Sequence, residues 1–425
     1  MKFIRNILCL TLLFGITNSY SQFTVDAELR PRFEFRHGYK TLFPDNTDPA
    51  TFVSQRTRLN FAFKTEKLQL YISPQDVRVW GDVPQLNSAD NNGFSLHQAW
   101  AEVLLVNKLF LKIGRQEIVY DDQRFFGNVG WAQQGRSHDA AILKFEPDFI
   151  KLHIGGAYNQ DGEALTGNIL TTGTYKSLLH VWLHKDWKQI SGSFLFLNNG
   201  LQYIDEIDET KSDTRYSQTA GVHLKAAVNN FNVSSNIYYQ FGTDLYNNDL
   251  NAYLVSLEAN YLATENFNIG LGGEIQSGNE FGASSNGKNN AFNPLYGTNH
   301  KFNGLMDYFY VGNHIDNVGL VDFYGKANYS FNTKSNINLT IHQFFAASPI
   351  NDVVSKELGL EMDLVSLYKL SDYVAVQAGY SQFFALKGIE TIKNNLDNNL
   401  NNWAWLMVTI DPVLFTYNKN ELSNQ

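Results

Sequence analysis

The stretch FTVDAELRPRFEFR, residues 23–36, separates two kinds of side chain onto alternate positions. Phe, Val, Ala, Leu and Pro occupy the odd-numbered positions, while Asp, Glu and Arg occupy the even-numbered positions from 26 onward. Successive side chains of a β-strand point to opposite faces of the sheet, so this period of two predicts a strand with one apolar and one charged face. A single strand of this kind also fits a soluble sheet, so the fold depends on whether the pattern recurs.

The pattern does recur, and the connections between its copies alternate between tight turns and long loops. A sheet with an even strand count, tight turns at one end and long loops at the other has the layout of an outer-membrane barrel. We therefore predict an all-β fold, a single transmembrane β-barrel of about eighteen antiparallel strands. The predicted strands lie at residues 23–36, 52–64, 67–80, 95–106, 108–118, 136–146, 149–159, 177–187, 189–199, 215–227, 230–243, 252–263, 266–277, 319–331, 335–346, 357–369, 372–384 and 401–411.

The composition agrees with a membrane barrel. Only helices and closed barrels satisfy all backbone polar groups inside lipid, and after the N-terminal segment the sequence has no apolar run of helical spanning length. The mean hydropathy is slightly negative, yet 14% of the residues are aromatic. A polar lumen, an apolar outer band and aromatic girdles explain that combination. We expect the bacterial outer membrane as the location and its lipid as a partner.

The N-terminus has the features of a secretory signal. Lys2 and Arg5 form a positive region, Ile7–Ile16 form a short apolar core, and cleavage is expected after Ser21. We predict a signal peptide at residues 1–21 and a barrel with a short C-terminal tail at 22–425. Cys9 is the single cysteine and lies in the predicted signal, so the mature chain is expected to lack disulfides and cysteine-bound metals.

Strand parity assigns charged residues to the lumen, because Arg or Lys on the lipid face costs about 2–4 kcal/mol at the membrane midplane. The second predicted strand places Arg56 and Arg58 inward, and a parity switch at Pro74 would turn Asp76 and Arg78 inward too. An alternative role for the arginines is bracing, in which they pair with acidic residues across strands. The residues assigned to the lumen by parity are Arg30, Arg32, Arg56, Arg58, Asp76, Arg78, Lys225, Asp322 and Lys326.

The sequence offers little support for an enzyme. Ser137, His138 and Asp139 are the residue types of a hydrolase triad, but as neighbours on a strand they cannot converge. We expect no cofactor and no metal site, since the ten histidines lack metal-ligand spacing. There is no basic tail of the kind that binds nucleic acid. A barrel-embedded enzyme stays as an alternative.

Three stretches go beyond a generic barrel pattern: QDVRVWG at 75–81, GRQE at 114–117 with GRSHD at 135–139, and FNPLYGTNHKF at 292–302. They resemble the alginate-export family of outer-membrane proteins, whose best-known member is an eighteen-stranded barrel with an arginine-rich lumen that passes the polyanion alginate. The resemblance implies lumen roles for Arg56, Arg58, Asp76, Arg78, Arg136 and Asp139. Parity conflicts with it at Asp139 and at Arg115, which we also include as lumen candidates.

These observations predict a channel that passively conducts an anionic polysaccharide or another anion through an arginine-rich lumen. Alternatives are a general or uptake porin for small anions or oligosaccharides, and the barrel enzyme. Expected partners are the transported anion and periplasmic export or uptake components, with no nucleic acid. The longest predicted loop, residues 278–318, is expected to cap or narrow the pore from outside.

Overall fold

The computed structural model describes residues 21–86, 94–208, 211–283, 286–396 and 399–419. The predicted signal, including Cys9, therefore lies outside the described residues except for Ser21, where the first strand begins. The strands are β1 Ser21–His37, β2 Ala50–Thr65, β3 Leu68–Val79, β4 Ser95–Val106, β5 Leu109–Gln116, β6 His138–Phe145, β7 Lys151–Tyr158, β8 Tyr175–Asp186, β9 Ile190–Tyr203, β10 Asp213–Val228, β11 Phe231–Thr243, β12 Asp249–Thr264, β13 Phe267–Gln276, β14 Lys288–Asn289, β15 Leu320–Asn332, β16 Ser335–Phe345, β17 Glu357–Ser371, β18 Val374–Ala385, β19 Asn401–Ile410 and β20 Val413–Lys419.

Eighteen antiparallel strands close into one barrel, as the sequence predicts. Each wall strand pairs with the next along the chain, β13 pairs with β15, and β19 returns to pair with β1. The two-residue β14 lies inside a loop and pairs in parallel with β12. Strand β20 continues β19 and pairs with Ser21–Asp26 of β1. Residues 413–419 therefore belong to the wall, and the residues after Lys419 lie outside the described part of the chain.

The barrel buries polar residues and exposes apolar ones, which is the reverse of a soluble protein. Ile72, Ile113 and Leu271 have exposed fractions of 48%, 51% and 73%, whereas Arg32 and Glu34 have 5% and 0%. This arrangement is favourable only in lipid. There the apolar outer side chains stay out of water, and the polar inner side chains keep their hydrogen-bond partners. Among the described residues, no helix is both long and apolar enough to cross a membrane.

Two long loops fold into the barrel instead of only covering it. They connect β5 to β6 (the 117–137 loop) and β13 to β15 (the 277–319 loop). Phe125 and Phe126 of the first loop, and Met306, Tyr308 and Phe309 of the second, are almost fully buried against inward side chains of the wall. The second loop also contains a 3₁₀ helix, Asn299–Lys301, and one α-helix, Lys387–Lys393, lies between β18 and β19.

A bulge between β3 and β4 shows that one sequence inference was half right. The pairing shifts between Ser73 and Pro74, where Ser73 pairs with Gln98 and Pro74 with Leu96. The extra residue is therefore His97 of β4, and β3 keeps one uninterrupted register with β2 from Leu70 to Val79. The predicted bulge near Pro74 is confirmed, but the predicted parity switch within β3 is wrong.

Candidate functional site: the lumen and its two inward loops

Four arginines on the inner surface of β1 and β2, Arg30, Arg32, Arg56 and Arg58, contact the 117–137 loop, and we call them the basic wall. Their guanidinium groups donate hydrogen bonds to the backbone of the 117–137 loop. Arg30 Nη1 donates to Gly130 O at 2.8 Å, and Arg32 Nη1 to Trp131 O at 2.7 Å. Arg56 Nη1 and Arg58 Nη2 reach Gln133 O and Gln134 O, each at 3.3 Å. A guanidinium offers five donors in a fixed fork, so a few arginines satisfy many carbonyls of an irregular segment.

Carboxylates on the same wall neutralise part of this charge. Arg56 Nη2 lies 2.6 Å from Glu28 Oε1, and Arg32 Nε lies 2.9 Å from Glu34 Oε1. These are the cross-strand and same-face pairs that the bracing alternative anticipates. The basic wall therefore orders the loop and the sheet together, and most of its donors are occupied by protein.

A second part of the wall, on β13, β15 and β17, carries four buried carboxylates, Glu274, Asp322, Glu361 and Asp363, which we call the acidic wall. They accept hydrogen bonds from the 277–319 loop. Asn303 Nδ2 donates to Glu274 at 3.0 Å and to Asp322 at 3.2 Å. The backbone N–H groups of Leu305 and Met306 donate to Asp363 and Glu361 at 3.3 Å and 2.7 Å. The acidic wall thus satisfies the donors of one loop, whereas the basic wall satisfies the acceptors of the other.

The two loops bind each other across the lumen. Arg124 of the first loop forms a buried ion pair with Glu274 and stacks on Phe302 of the second, with 3.5 Å between its guanidinium carbon and the ring centroid. Thr298 N donates to Gln123 O at 3.0 Å. Arg136 Nη1 donates to Gly297 O at 2.9 Å. The loops therefore form one inner structure that spans the barrel.

His97, the bulge residue of β4, joins the two ends of the 117–137 loop. Its Nε2 lies 2.8 Å from Glu117 Oε1, and its Nδ1 lies 3.3 Å from Ser137 Oγ. Asn128 Nδ2 donates to the other oxygen of Glu117. Burial raises the pKa of Glu117, but the hydrogen bonds from His97 and Asn128 outweigh it, and the pKa lies below its usual value. A bulge often redirects a side chain, and here it places an imidazole where a loop begins and ends.

Two cavities lie against the inner structure. The upper cavity, toward the long loops, has a volume of about 570 Å³ and is lined in part by Arg32, Arg36 and Lys40. The lower cavity, toward the tight turns, has a volume of about 670 Å³. Among their lining residues the two cavities share Trp131 and His300. We call this stacked pair the septum.

Three lysines lie toward the tight-turn end of the lumen, and we call them the lysine cluster. Lys301 and Lys326 line the lower cavity, and Lys225 lines a neighbouring cavity at the turns. Lys326 lies 2.5 Å from Glu258 and keeps 40% of its side chain exposed. Within the part of the chain that the structure describes, Lys225 and Lys301 have no carboxylate partner within ion-pair distance. Burial lowers the pKa of Lys301, Asp122 opposes that shift, and the nearby cations Lys225, Arg124 and Lys326 lower the pKa further. Within the cluster, Lys326 is therefore paired with a carboxylate, while Lys301 donates to the backbone carbonyl of Asp122.

The inner face of the barrel contains seven of the sequence-predicted site residues: Arg30, Arg32, Arg56, Arg58, Lys225, Asp322 and Lys326. Arg136 belongs to the 117–137 loop and contacts the other loop. Their placement agrees with parity, and a role in the path of a solute stays a prediction for all of them.

The other four predicted residues, Asp76, Arg78, Arg115 and Asp139, pair in register with outward residues. Arg78 also lines the upper cavity, and Arg115 and Asp139 line a cavity with Tyr175 and Tyr296, so a role in the path of a solute stays a prediction for these residues. In β3, Asp76 pairs with Thr57 and Arg78 with Gln55, which are outward residues of β2, because β3 has no parity switch. Arg115 is directly opposite Asp139 on one side and Ala99 on the other, and Ala99 is opposite the exposed Ile72. Both sets form ion pairs near the long-loop end: Arg78 with Asp76 at 2.5 Å and Arg115 with Asp139 at 2.8 Å.

Sequence reasoning missed Trp131, His300, Lys301 and the carboxylates of the acidic wall other than Asp322. The signal was partly present, since Lys301 and His300 lie in the FNPLYGTNHKF stretch. Strand parity could also have placed Glu274 inward. What parity could not show is that two loops return into the lumen.

The structure does not assemble a hydrolase triad from Ser137, His138 and Asp139. His138 faces inward, where its Nδ1 lies 3.0 Å from the Tyr175 hydroxyl, while Asp139 faces outward and pairs with Arg115. Across the described residues, no group of three or more His, Cys, Asp or Glu side chains is arranged to hold a metal ion.

A closed eighteen-stranded barrel with an apolar exterior and a polar, partly occupied lumen defines a porin-like outer-membrane protein. The chain belongs to the alginate export family, whose sequence profile matches residues 21–402. A comparison with curated proteins finds none that matches.

Solved structures of bacterial proteins share the fold at low sequence identity. OccAB4 of Acinetobacter baumannii is 13% identical with a TM-score of 0.63, and the match covers 94% of this chain and 99% of that one. OpdL of Pseudomonas aeruginosa is 11% identical with a TM-score of 0.61, covering 92% and 99%. OpdK of the same species, solved with vanillate, is 11% identical with a TM-score of 0.58, covering 93% and 99%. The family and the fold together support a channel in the bacterial outer membrane.

Proposed function

We propose that this protein is an outer-membrane channel for anionic solutes of the sugar-acid class, and that it has no catalytic activity. The observation that carries the proposal is the lysine cluster below the septum. Three cations lie toward the tight-turn end of the lumen, Lys301 and Lys326 in the lower cavity and Lys225 in a neighbouring one. Among the described residues, two of them have no carboxylate partner within ion-pair distance, so an anion that enters gains favourable interactions with them. Several weak sites in sequence favour entry without trapping, which is what conduction requires.

The basic wall contributes less to this proposal than the sequence suggested. Its donors are largely occupied by loop carbonyls, Glu28 and Glu34. Arg32 also lines the upper cavity, so a solute approaching from outside meets it before the septum. We therefore assign selectivity mainly to the lysine cluster and loop order mainly to the basic wall.

A second candidate is conduction of an anionic polysaccharide, favoured by the match to the alginate export family over residues 21–402. A polymer would need the two inward loops to separate, because they bind each other across the lumen. The structure of OpdK with vanillate, an aromatic carboxylate, favours a compact anion for a barrel of this shape. The outer-membrane lipid is the expected environment, and periplasmic export or uptake components are expected partners.

Reversal potentials in a salt gradient test the proposal. The wild-type channel should prefer anions despite the net charge of −9, because charges within about 8 Å dominate the field at physiological salt. Changing Lys225, Lys301 and Lys326 together to glutamate should reverse the preference, and Lys301→Glu alone should weaken it. A matched control changes three exposed lysines at the tight turns to glutamate, namely Lys67, Lys334 and Lys369. A wild-type channel that prefers cations would refute the proposal, as would equal effects of the two triple variants.

A further inference from the structure

The septum is built from one aromatic ring of each inward loop. The rings of Trp131 and His300 stack with their centroids 4.7 Å apart and their planes at 17°. They are the residues common to the linings of the upper and lower cavities. The two rings therefore lie at the boundary between the two cavities.

Trp131 is fixed from several directions. The guanidinium of Arg32 lies over its ring at 4.0 Å, and the rings of Trp403 and Trp405 meet it edge-on at 5.5 Å and 4.8 Å. Its backbone carbonyl and that of Gly130 accept hydrogen bonds from the basic wall. The indole is thus mounted on an ordered segment with contacts on its faces and edges.

His300 is fixed independently by the other loop. Its Nδ1 lies 2.6 Å from Asp307 Oδ1, and the Tyr39 hydroxyl donates to the second oxygen of the same carboxylate. Burial raises the pKa of Tyr39, and the adjacent Asp307 raises it further, so the hydroxyl stays protonated and available as a donor. The imidazole is held by a buried network that does not involve Trp131.

We propose that Trp131 and His300 are the specificity-determining residues of the channel and set its size limit, admitting compact single-ring anions such as monomeric sugar acids and excluding their oligomers. Each cavity has the volume of a small-molecule site, which suits a solute of one or two rings. Because both rings sit on rigid mounts, the contact acts as a fixed filter. A carboxylate that passes it meets Lys301, which follows His300 directly in the chain.

This inference rests on the proposed anion conduction, but its test varies the size of the solute and not the charge of the channel. Purified wild type, Trp131→Ala and His300→Ala would be compared by single-channel conductance and by liposome swelling with D-glucuronate and trigalacturonate. We expect wild-type liposomes to swell with glucuronate only. Trp131→Ala should raise conductance at least twofold and admit trigalacturonate, and His300→Ala should act in the same direction to a smaller extent.

Trp187→Ala is the matched control, because Trp187 lies at a tight turn with an exposed fraction of 55%. Heat-modifiable migration on gels shows which variants are folded, and His300→Ala tests the septum from the other loop if Trp131→Ala does not fold. Folded septum variants with wild-type conductance and wild-type exclusion of trigalacturonate would overturn the inference, as would wild-type liposomes that swell with trigalacturonate. A cation-selective wild type with an enlarged Trp131→Ala channel would instead refute only the proposed anion preference.

Discussion

The basic wall on β1 and β2 and the acidic wall on β13, β15 and β17 are two parts of the same barrel. The basic wall binds the carbonyl groups of one inward loop, and the acidic wall binds N–H groups of the other. Guanidinium groups of β1 and β2 donate to carbonyls of the 117–137 loop. Carboxylates of β13, β15 and β17 accept from amides of the 277–319 loop. Buried irregular backbone needs partners for every polar group, and charged side chains supply the strongest ones.

The comparison teaches that charge inside a barrel has two uses that strand parity cannot separate. Some cations are saturated by protein acceptors, as Arg30 is, and others lack a carboxylate partner, as Lys225 does among the described residues. Arg30 makes five hydrogen bonds to loop residues 130–133. Selectivity is expected from the second kind of residue and stability from the first.

The largest effect is expected from removing two arginines of the basic wall, which tests whether this wall holds the 117–137 loop in place. Arg30→Ala with Arg56→Ala leaves carbonyls of Gly130 and Ala132 short of donors and leaves Glu28 without its closest partner. Breaking a buried pair costs about 3–5 kcal/mol, so we expect the largest loss of stability here. The 117–137 loop should leave the lumen and conductance should rise several-fold. Urea titration and single-channel recording measure the two effects, and unchanged conductance in a folded variant would contradict the bracing role.

The acidic wall can be tested with a smaller change. Glu274→Gln keeps the shape of the side chain but removes the charge that compensates the buried Arg124. We expect the free energy of unfolding to fall by roughly 3 kcal/mol. This is at the lower end for a broken buried ion pair, because the amide oxygen of the new side chain still accepts a hydrogen bond from Asn303. Glu265→Gln, at the exposed turn between β12 and β13, is the matched control and should have no measurable effect. Equal urea midpoints for the two variants would show that Arg124 does not depend on Glu274.

Lowering the pH should destabilise the folded conformation of the 277–319 loop, because its buried histidine His314 becomes protonated. Burial lowers the pKa of this histidine to about 4, although its bond to Gly319 O opposes the shift. The unfolded pKa is about 6.5, so the open loop binds the proton first as pH falls. The stability is therefore complete above about pH 6.5 and declines by about 3 kcal/mol toward pH 4. Hydrogen exchange of the loop amides should show this decrease in stability with falling pH in the wild type, and a smaller decrease in His314→Gln.

The smallest effect is expected on the outer face. Arg115→Ala removes an exposed ion pair with Asp139, and such pairs contribute about 0–1 kcal/mol. Selectivity and conductance should stay at wild-type values, because both side chains lie in register with outward residues of the wall. A shift in reversal potential comparable to that of Lys301→Glu would mean that the outward assignment is wrong.

The sequence by itself determined the barrel, its strand number and most of its inward face. The alternation in β1 fixes which side each residue faces, because a strand has a strict period of two and the cost of charge in lipid selects one orientation. The tight turns and long loops fix the connectivity, and the three family stretches agree with it. These are local properties, so each can be inferred from a few neighbouring residues.

Only the tertiary structure decided how the lumen is filled. The bulge at His97 lies on β4 and not on β3, which keeps Asp76 and Arg78 in register with outward residues of β2, and a bulge belongs to the pairing of two strands. The partnership of Arg30 with Gly130, and of Trp131 with His300, joins residues far apart in the chain. Such contacts depend on where two loops return within a closed barrel, and no local pattern encodes that position.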